Sequence, residues 1–413
     1  MTSPDVIVVG GGPAGASTAH ALARMGTRVL LLDRARFPRP KPCAECLSPQ
    51  ASRILDAMGV LDEVERAGPA QLSGILVRAP SGATIRGSYA GAHGFTPFRP
   101  CGLSIPRETL DAILLESARR AGADVREGVH VVDLARDADG RVAGVVTLDA
   151  DGQRREIRAR IVVGADGLQS VVAARLGLAH RARWPRRIAL TTRVRGLAGV
   201  GREVELHVGR TGFVGLADVG DGLTNVSAVF PARMAREIAR DPTAFLFDWL
   251  AAQAPLALRF AHATRVSPVR AVGPFASRAR RAWAPGALLV GDAADFFDPF
   301  TGEGIYCALR GGELAALYAR ASLDATTPRE TDAALAAYDR ARRHEFRGKW
   351  LVEQAIGAVI ARPPLINRAA RVLEARRDMA DLLAGVTGDF VPASRVLRPS
   401  FLLSLFVLPV PHQ

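Results

Sequence analysis

The feature that most constrains this chain is a glycine-rich turn between an apolar run and an amphipathic segment near its beginning. Residues 6–9 are all β-forming and apolar, and they end at Gly10 in a G-x-G-x-x-G motif that closes at Gly15. An Ala- and Leu-rich segment with helical spacing continues to Met25, and Gly26 follows where a helix would end. The order strand, tight turn, helix predicts the first half of a βαβ unit.

Each glycine of this motif has a physical purpose. Gly10 permits the tight turn, Gly12 lets a pyrophosphate approach the backbone, and Gly15 lets helix and strand pack closely. Free N–H groups and the positive dipole end of the helix then hold phosphate. A second apolar strand, residues 28–32, ends in Asp33, 18 residues beyond Gly15, a spacing at which a carboxylate reaches a ribose hydroxyl. The motif therefore predicts a dinucleotide site.

Composition narrows the class of protein. The 413 residues suit two or three sub-domains, and 48% hydrophobic with 23% charged residues is an ordinary globular composition. The net charge is +13, but the basic residues are dispersed and almost all are arginine, Lys41 and Lys349 being the only lysines. We therefore expect no nucleic-acid partner, and attraction to an anionic membrane surface stays open.

The termini and cysteines bear on location. The chain begins with a strand rather than a signal peptide, has no apolar run of about 18 residues, and carries four irregularly spaced cysteines. We expect a cytoplasmic protein, with peripheral membrane contact left open. The apolar tail 401–409 is too short to span a bilayer; it lies against lipid or docks onto the body of the protein.

The rest of the chain alternates between two kinds of pattern. A hairpin is predicted around residues 80–82, a β-meander over 130–159, and glycine-punctuated alternating strands over 187–230 indicate a second, antiparallel sheet. Helices are predicted at 48–59, 108–121, 232–239, 243–252, 302–323 and 331–360, with a shorter one reaching Leu383 after a break at Pro363. The predicted domains are a discontinuous dinucleotide-binding domain (1–70, 101–180 and 271–325), a substrate domain (71–100 and 181–270) and a C-terminal helical region (326–413).

Three distant blocks carry a family resemblance: residues 10–15 with Asp33, residues 164–167 (GADG), and residues 291–294 (GDAA) followed by 299–305 (PFTGEGI). With these blocks in order, residues 5–325 resemble the FAD-dependent aromatic hydroxylase and geranylgeranyl reductase superfamily. That resemblance implies an α/β fold: the Rossmann-like, two-dinucleotide-binding FAD domain of para-hydroxybenzoate hydroxylase, an interleaved antiparallel substrate domain, and C-terminal helices.

The resemblance also implies roles for particular residues. Asp292 would bind the ribityl or pyrophosphate part of FAD, Arg107 would lie near the pyrophosphate, and Asp166 would belong to a second fingerprint tied to the pyrophosphate and to NAD(P)H. Their structural alternatives are a helix N-cap, a helix-surface residue and a strand-terminal turn. The predicted cofactor-binding residues are Gly10, Gly12, Pro13, Ala14, Gly15, Asp33, Arg34, Cys43, Arg107, Val131, Asp166, Gly167, Gly291, Asp292, Pro299, Gly302, Gly304 and Ile305.

Catalysis is assigned to the flavin together with a helix start. Glycines in Gly302-Glu303-Gly304 would let backbone N–H groups sit against the flavin pyrimidine, where the dipole stabilises the anionic reduced ring. Only one complete Rossmann fingerprint is present, so NAD(P)H is expected to visit transiently as reductant. No catalytic triad, paired carboxylates or metal cluster stands out in the sequence.

Other residues leave alternatives open. Cys43 and Cys46 form a C-x-x-C that is a redox dithiol, half of a zinc site, or a loop packing beside the flavin. The sequence lacks W-x-W-x-I-P, so halogenation is not expected. Candidates near the substrate, each with a structural alternative, are His93, His207, Asp218 and Asp298, and the aromatic residues Phe95, Phe98, Phe213, Phe230, Phe296 and Phe297.

The expected function is NAD(P)H-driven hydroxylation or epoxidation of a hydrophobic phenolic, polyketide or isoprenoid substrate by O2 through a flavin C4a-hydroperoxide. The alternative that the resemblance implies is hydrogenation of prenyl double bonds by reduced flavin. A third is a flavoprotein that modifies or assembles another protein.

Overall fold

A computed structural model describes residues 3–148, 152–181, 186–275, 277–296 and 299–407. Its strands are, in chain order, β1 Val6–Val9, β2 Val29–Asp33, β3 Cys46–Leu47, β4 Ala70–Leu72, β5 Gly74–Arg78, β6 Thr84–Ser88, β7 Gly102–Ser104, β8 Asp124–Glu127, β9 His130–Arg136, β10 Val142–Leu148, β11 Arg154–Arg158, β12 Ile161–Gly164, β13 Ala179–Arg181, β14 Arg187–Arg195, β15 Glu203–Val208, β16 Phe213–Asp218, β17 Leu223–Pro231, β18 Thr264–Arg265, β19 Arg270–Val272, β20 Ser277–Ala279, β21 Trp283–Ala284, β22 Ala287–Leu289 and β23 Asp295–Phe296.

The α-helices are α1 Pro13–Arg24, α2 Pro49–Ala57, α3 Leu61–Arg66, α4 Arg107–Arg120, α5 Val171–Arg175, α6 Ala235–Ile238, α7 Pro242–Ala251, α8 Ala254–Phe260, α9 Gly304–Asp324, α10 Pro328–Ile360, α11 Pro363–Ala375, α12 Arg377–Thr387 and α13 Pro399–Phe406.

A six-stranded sheet in the order β21-β22-β12-β1-β2-β8 forms the first half of the fold. All its neighbours are parallel except β21, which is antiparallel to β22. The central strands are apolar and buried along their whole length, as expected for a parallel sheet covered on both faces. Helix α1 packs against it, and α9 packs on α1. The predicted βαβ unit and the α/β class are confirmed.

A second, eight-stranded sheet runs β18-β14-β17-β16-β15-β5-β6, with β19 also pairing with β14. The predicted hairpin is confirmed as β5 and β6, and β14 to β17 are antiparallel as predicted. The sheet is nevertheless mixed, because β5 runs parallel to β15. No turn joins these two strands, so no hairpin geometry fixes their relative direction. Both segments assigned to the substrate domain contribute to this sheet, and the domain boundaries stay a prediction.

Smaller sheets complete the α/β part. Strands β9, β10 and β11 form the predicted meander, β3-β7-β4 is a short sheet next to the proline-rich loop, and β13-β20-β23 is another. Ser48 caps α2 as predicted, accepting a hydrogen bond from the backbone N–H of Ala51 at 3.3 Å. Helices α3 and α8 were not predicted, because each is only six or seven residues long.

The C-terminal region is helical. Helix α10 begins at a capping box formed by Thr327 and Glu330, and the predicted break lies at Pro363. The prediction of one shorter helix to Leu383 is wrong: Arg376, with a ψ of 77°, separates α11 from α12. The apolar tail contains α13, which packs through Leu405 against the apolar cluster around α11 while Leu402 and Leu403 face outward.

Within the described residues, no helix is both long enough and apolar enough to cross a lipid bilayer.

Candidate functional site

One cavity of about 690 Å³ opens at the carboxyl ends of the parallel strands, where ligands of such sheets bind. Most predicted cofactor residues line it: Gly10, Gly12, Pro13, Ala14, Asp33, Arg34, Cys43, Arg107, Val131, Asp166, Gly167, Gly291, Asp292, Gly302, Gly304 and Ile305. Glu303, from the helix start assigned to catalysis, lines it too. Gly15 does not line the cavity. Pro299 begins a short 3-10 turn that ends at Thr301. Blocks of sequence separated by more than a hundred residues therefore meet at one place, and the assignment of each residue to FAD stays a prediction.

The glycines of the first motif differ in what surrounds them. Gly10 has φ +105°, and a Cβ there would overlap the carbonyl oxygen of Ala165. A Cβ on Gly15 would overlap the carbonyl oxygen of Gly10. A Cβ on Gly12 would meet only a guanidinium nitrogen of Arg39, at 3.6 Å. The protein itself needs Gly10 and Gly15 to be small, whereas Gly12 leaves space free for a ligand.

The carboxylate of Asp33 is oriented by the backbone. The N–H of Gly11 donates to Oδ2 at 2.7 Å, and the N–H of Ala35 donates to Oδ1 at 2.7 Å. The side chain lies in the cavity wall with one lone pair on each oxygen still to be satisfied. This arrangement fits a carboxylate that accepts hydrogen bonds from ribose hydroxyls.

Cations that the sequence analysis did not assign to the cofactor line the same end of the cavity. They are Arg39 and Lys41, in the proline-rich loop after β2. Burial lowers the pKa of Lys41 and raises the pKa of Asp292, and the charge of each opposes the shift in the other. The signal was available, since this loop carries four basic residues within eight positions after Asp33. Two phosphates would find cations and free helix N–H groups together here.

Arg107 is held rigidly at this end of the cavity. Its guanidinium donates two hydrogen bonds of 2.8 Å to the carboxylate of Asp111, and Arg39 lies 3.3 Å from the same carboxylate. Burial disfavours the charge of Arg107, but Asp111 and a hydrogen bond to Cys43 more than compensate, so the pKa is raised. The placement fits the predicted position near a pyrophosphate.

Glu45 organises the loop that contains both cysteines, and the sequence analysis missed it. It is buried at φ +64° and accepts hydrogen bonds from the backbone N–H of Arg107, from the guanidinium of Arg193 and from the amide of Asn225. The same amide donates to the carbonyl of Cys43 at 3.0 Å. Since its partners are far away in sequence, no local pattern indicated this role.

The two carboxylate oxygens of Asp166 have different surroundings. Its Oδ2 accepts from the N–H groups of Val171 and Val172 at 2.7 and 3.3 Å, which caps α5. Its Oδ1 is buried without a partner in the protein, and burial raises its pKa. A buried carboxylate oxygen without a partner in a cavity wall fits a ligand that donates a hydrogen bond.

The start of α9 forms the other end of the cavity. Gly302 has φ +72° with no atom near its missing Cβ, and a Cβ on Gly304 would meet only Phe296, at 3.9 Å. The start of α9 therefore borders space that a flavin ring can occupy. Between the glycines, Glu303 is buried, its Oε2 has no partner, and burial raises its pKa.

The C-x-x-C pair forms a packed loop in this structure. The thiol of Cys46 donates to the carbonyl of Ala44 at 3.2 Å, and the Sγ of Cys43 accepts from the N–H of Glu45 at 3.3 Å. Burial raises the pKa of Cys46 to about 12, so it is a thiol at neutral pH. A thiol is a poor nucleophile and a poor metal ligand, which favours the packing role over the redox and zinc alternatives.

A second hollow of about 50 Å³ lies between the eight-stranded sheet and α12. Ala44, Cys46 and Gly302 line both it and the main cavity. Its other walls are mainly apolar, and the rings of Phe213 and Phe300 meet edge to face with centroids 4.9 Å apart. Further lining residues are Leu72, Ile75, Tyr89, Leu206, Gly215, Ala217, Val229 and Thr387.

Three candidates for the substrate side line neither cavity, and each has the surroundings of its structural alternative. His207 lies on the face of β15 opposite the pocket-lining Leu206, hydrogen-bonded to Glu205 and next to Arg259. His93 contacts the carbonyl of Asp378 at the surface, and Asp218 accepts from the N–H of Gly220.

Of the aromatic candidates, Phe213 and Phe296 line the two cavities. Phe230 packs against Phe245 and Trp249 elsewhere, Phe95 packs near Arg395, and Phe98 is exposed. Phe297 and Asp298 lie outside the described residues.

This geometry defines a class. A parallel sheet, a glycine-bounded cavity with cations at one end, and a second helix start at the other together describe a nucleotide-dependent flavoprotein. The family described as "FAD binding domain" matches residues 3–344, so the chain belongs to that family, and it is an FAD-dependent oxidoreductase.

Two related reductases and one solved structure confirm the superfamily. The chain is 29% identical to menaquinone reductase of Mycolicibacterium smegmatis over 76% of each chain. It is also 29% identical to digeranylgeranylglycerophospholipid reductase 2 of Methanopyrus kandleri, over 96% of this chain and 97% of the relative. The structure of the myxobacterial chondrochloren halogenase, an FAD-dependent halogenase, is similar with a TM-score of 0.80 and 25% identity over 100% of this chain and 99% of the halogenase. That similarity does not test the expectation against halogenation.

Proposed function

We propose that this FAD-dependent oxidoreductase saturates carbon–carbon double bonds in the prenyl chain of an isoprenoid lipid. The observation that carries the proposal is the similarity to reductases named for menaquinone and for a digeranylgeranyl lipid. The apolar hollow that continues from the start of α9 supports it, because a prenyl unit presents only apolar surface. The proposal reverses the order of the two enzymatic alternatives in the sequence analysis.

The residues of this chain would bind, orient and exclude water. Arg39, Lys41 and the start of α1 would hold the FAD phosphates, and the start of α9 would hold the ring end. When bound and reduced, FAD supplies a hydride. Phe213 and Phe300 would keep a prenyl unit in the hollow, where apolar burial contributes about 25 cal/mol per Å².

The reductant in this proposal is a nicotinamide dinucleotide that binds transiently. The sequence contains a single strand-linked G-x-G-x-x-G. Its glycines line the end of the cavity that this proposal assigns to the FAD phosphates. A donor that leaves after each hydride transfer needs no Rossmann domain of its own.

The proposal gives the outer face of α13 a role at a membrane surface. Leu403 and Val407 are 50% and 66% exposed, and Arg398 precedes them, an arrangement that suits an interfacial helix and an anionic headgroup. Co-flotation with anionic vesicles tests this role: Leu403→Glu should abolish flotation, and unchanged flotation would contradict it.

The experiment on function uses holoenzyme without oxygen. The protein is reduced with NADPH or NADH and mixed with menaquinone or digeranylgeranylglycerophospholipid in detergent. The masses of the products are then measured by mass spectrometry. We expect a mass gain of two hydrogens for each reduced bond, with stoichiometric oxidation of the flavin.

Two other outcomes would contradict the proposal and support one of the alternatives. Oxygenated product formed only in air, with a transient flavin absorbance during reoxidation, would establish hydroxylation or epoxidation. Activity that appears only with an added partner protein would favour the third alternative.

A further inference from the structure

A buried charge cluster that the proposed binding roles leave unused lies at the start of α9. The ammonium of Lys349, on α10, contacts the carboxylate of Asp389 directly and lies 3.7 Å from Oε1 of Glu303. The side chains of Glu303 and Asp389 are 2% and 0% exposed, and each retains one buried oxygen without a partner. Glu303 also lines the main cavity.

Charge balance decides which acid is ionised. One ammonium cannot neutralise two buried carboxylates, and a second unpaired charge in such a place is costly. Because Asp389 is in direct contact with Lys349 and Glu303 is farther away, Asp389 takes the negative charge. Glu303 then holds a proton, in agreement with the raised pKa that burial gives it.

Among the residues that the structure describes, Lys349 is the cation whose charge acts on Glu303. The titratable groups facing it are Lys349 from α10, Asp389 from the segment after α12, Cys307 from α9 and Tyr89 from the segment after β6. Glu353 lies beyond Thr301, whose hydroxyl donates to it at 3.4 Å. Burial raises the pKa of Cys307 and of Tyr89, so both are neutral.

We propose that Glu303 is the acid that protonates the double bond during its reduction, an inference that rests on the proposed function. When bound and reduced, FAD would supply a hydride, with its electron pair, to one carbon of the double bond. The π electrons form a C–H bond at the other carbon with the proton of the Glu303 carboxyl, whose O–H bond breaks. The new carboxylate would lie beside Lys349, and water would restore its proton. FAD would be left oxidised, to be reduced again by the nicotinamide donor.

The first test measures the proton itself. Infrared spectra of the holoenzyme at neutral pH should contain the carbonyl band of the protonated Glu303 carboxyl. Glu303→Gln should remove this band in a difference spectrum, in which any bands of Asp166, Asp292 and Asp295, whose pKa values burial also raises, cancel. Asp389→Asn should also remove it, because Lys349 is then free to pair with Glu303 and lower its pKa. Glu116→Gln, an exposed carboxyl on α4, is the control that keeps the band. A difference spectrum between the unaltered protein and Glu303→Gln that lacks this band would overturn the assignment.

The second test separates the two half-reactions. Glu303→Gln should slow reoxidation of reduced enzyme by menaquinone or the digeranylgeranyl lipid about 100-fold or more, while reduction by the nicotinamide donor is unchanged. Glu303→Asp should restore part of the rate. Since catalysis needs the protonated form, activity should fall as pH rises through the pKa of Glu303, and in Asp389→Asn that fall should begin at a lower pH.

The outcomes distinguish this inference from the proposed function. If the unaltered enzyme saturates neither lipid, the proposed function fails and the donor role fails with it. If the unaltered enzyme is active and Glu303→Gln reoxidises equally fast, only the donor role is refuted.

Discussion

The two helix starts at opposite ends of the cavity use the same backbone device in opposite electrostatic surroundings. At α1, glycines and free N–H groups lie among cations, Arg39 and Lys41. At α9, they flank the buried acid Glu303, whose nearest cation is shared with Asp389. The first arrangement suits an anion whose charge is constant. The second suits a ring whose charge and protonation change in each cycle, so the neighbours of a helix start, rather than the helix itself, set its chemistry.

A second contrast lies within the first motif, and it predicts the largest effect on stability. Gly15→Ala should destabilise the apoprotein by about 3 kcal/mol, because the added Cβ overlaps the carbonyl oxygen of Gly10 in a packed interior. Urea unfolding measures the change. Gly12→Ala is the matched control, since its Cβ meets only Arg39 at 3.6 Å. Equal unfolding midpoints for the two variants would break the contrast.

Gly12→Val tests the ligand space at α1. The fold should persist while affinity for FAD falls about 100-fold or more, equivalent to about 2.7 kcal/mol, because the side chain fills the path of the phosphates. Titration of apoprotein with FAD, followed by flavin fluorescence, gives the affinity. Yellow, fully loaded protein after dialysis would refute the prediction.

Asp292→Ala probes the acid between the two ends. We expect about 10-fold weaker retention of FAD, because the carboxylate near Lys41 and Arg107 would no longer be there to accept hydrogen bonds from the cofactor. Asp292→Asn, which keeps hydrogen-bonding capacity, should lose less. Unchanged occupancy in both variants after dialysis would contradict the role.

Gly302→Ala tests the start of α9 as the glycine substitutions above test the start of α1. Nothing occupies the position of the new Cβ, so the cost is only the left-handed backbone at φ +72°, about 1 kcal/mol. Thermal unfolding of the apoprotein should show this small loss. A loss as large as that of Gly15→Ala would mean that the space beside α9 is not free.

Cys46→Ser should have the smallest effect. The thiol is neutral and donates to the carbonyl of Ala44, a bond that a hydroxyl can replace, so flavin reduction should change less than about 2-fold. Stopped-flow reduction by NADPH measures the rate. Complete inactivation with flavin still bound would revive the dithiol alternative.

Local patterns predicted the parts of the fold whose contacts are local in sequence. The turn at Gly10, the strand ending in Asp33 and the start of α9 each depend on neighbours within a few positions, and the structure has them as expected. A family resemblance then implied that the blocks meet in one place. The G-x-G-x-x-G motif at residues 10–15 could be identified because phosphate binding requires particular residues at fixed spacing.

Contacts across the chain were not predictable in this way. Glu45 is held by Arg193, 148 positions away, and Glu303 shares Lys349 with Asp389, so neither pattern shows in a window of sequence. The position of His207 could not be predicted for a different reason. Residues 203–208 alternate polar and apolar side chains, which shows that β15 has two faces, but only the packed sheet shows which face borders the cavity.

The parallel pairing of β5 with β15 has a consequence for anyone wishing to re-engineer this protein. The sheet beside the apolar hollow is assembled from a hairpin early in the chain and from strands more than a hundred positions later. Exchanging that sheet for one from another flavoprotein would require transplanting both pieces together. A chimera with a single crossover point would join edges whose hydrogen-bonding partners come from different parents.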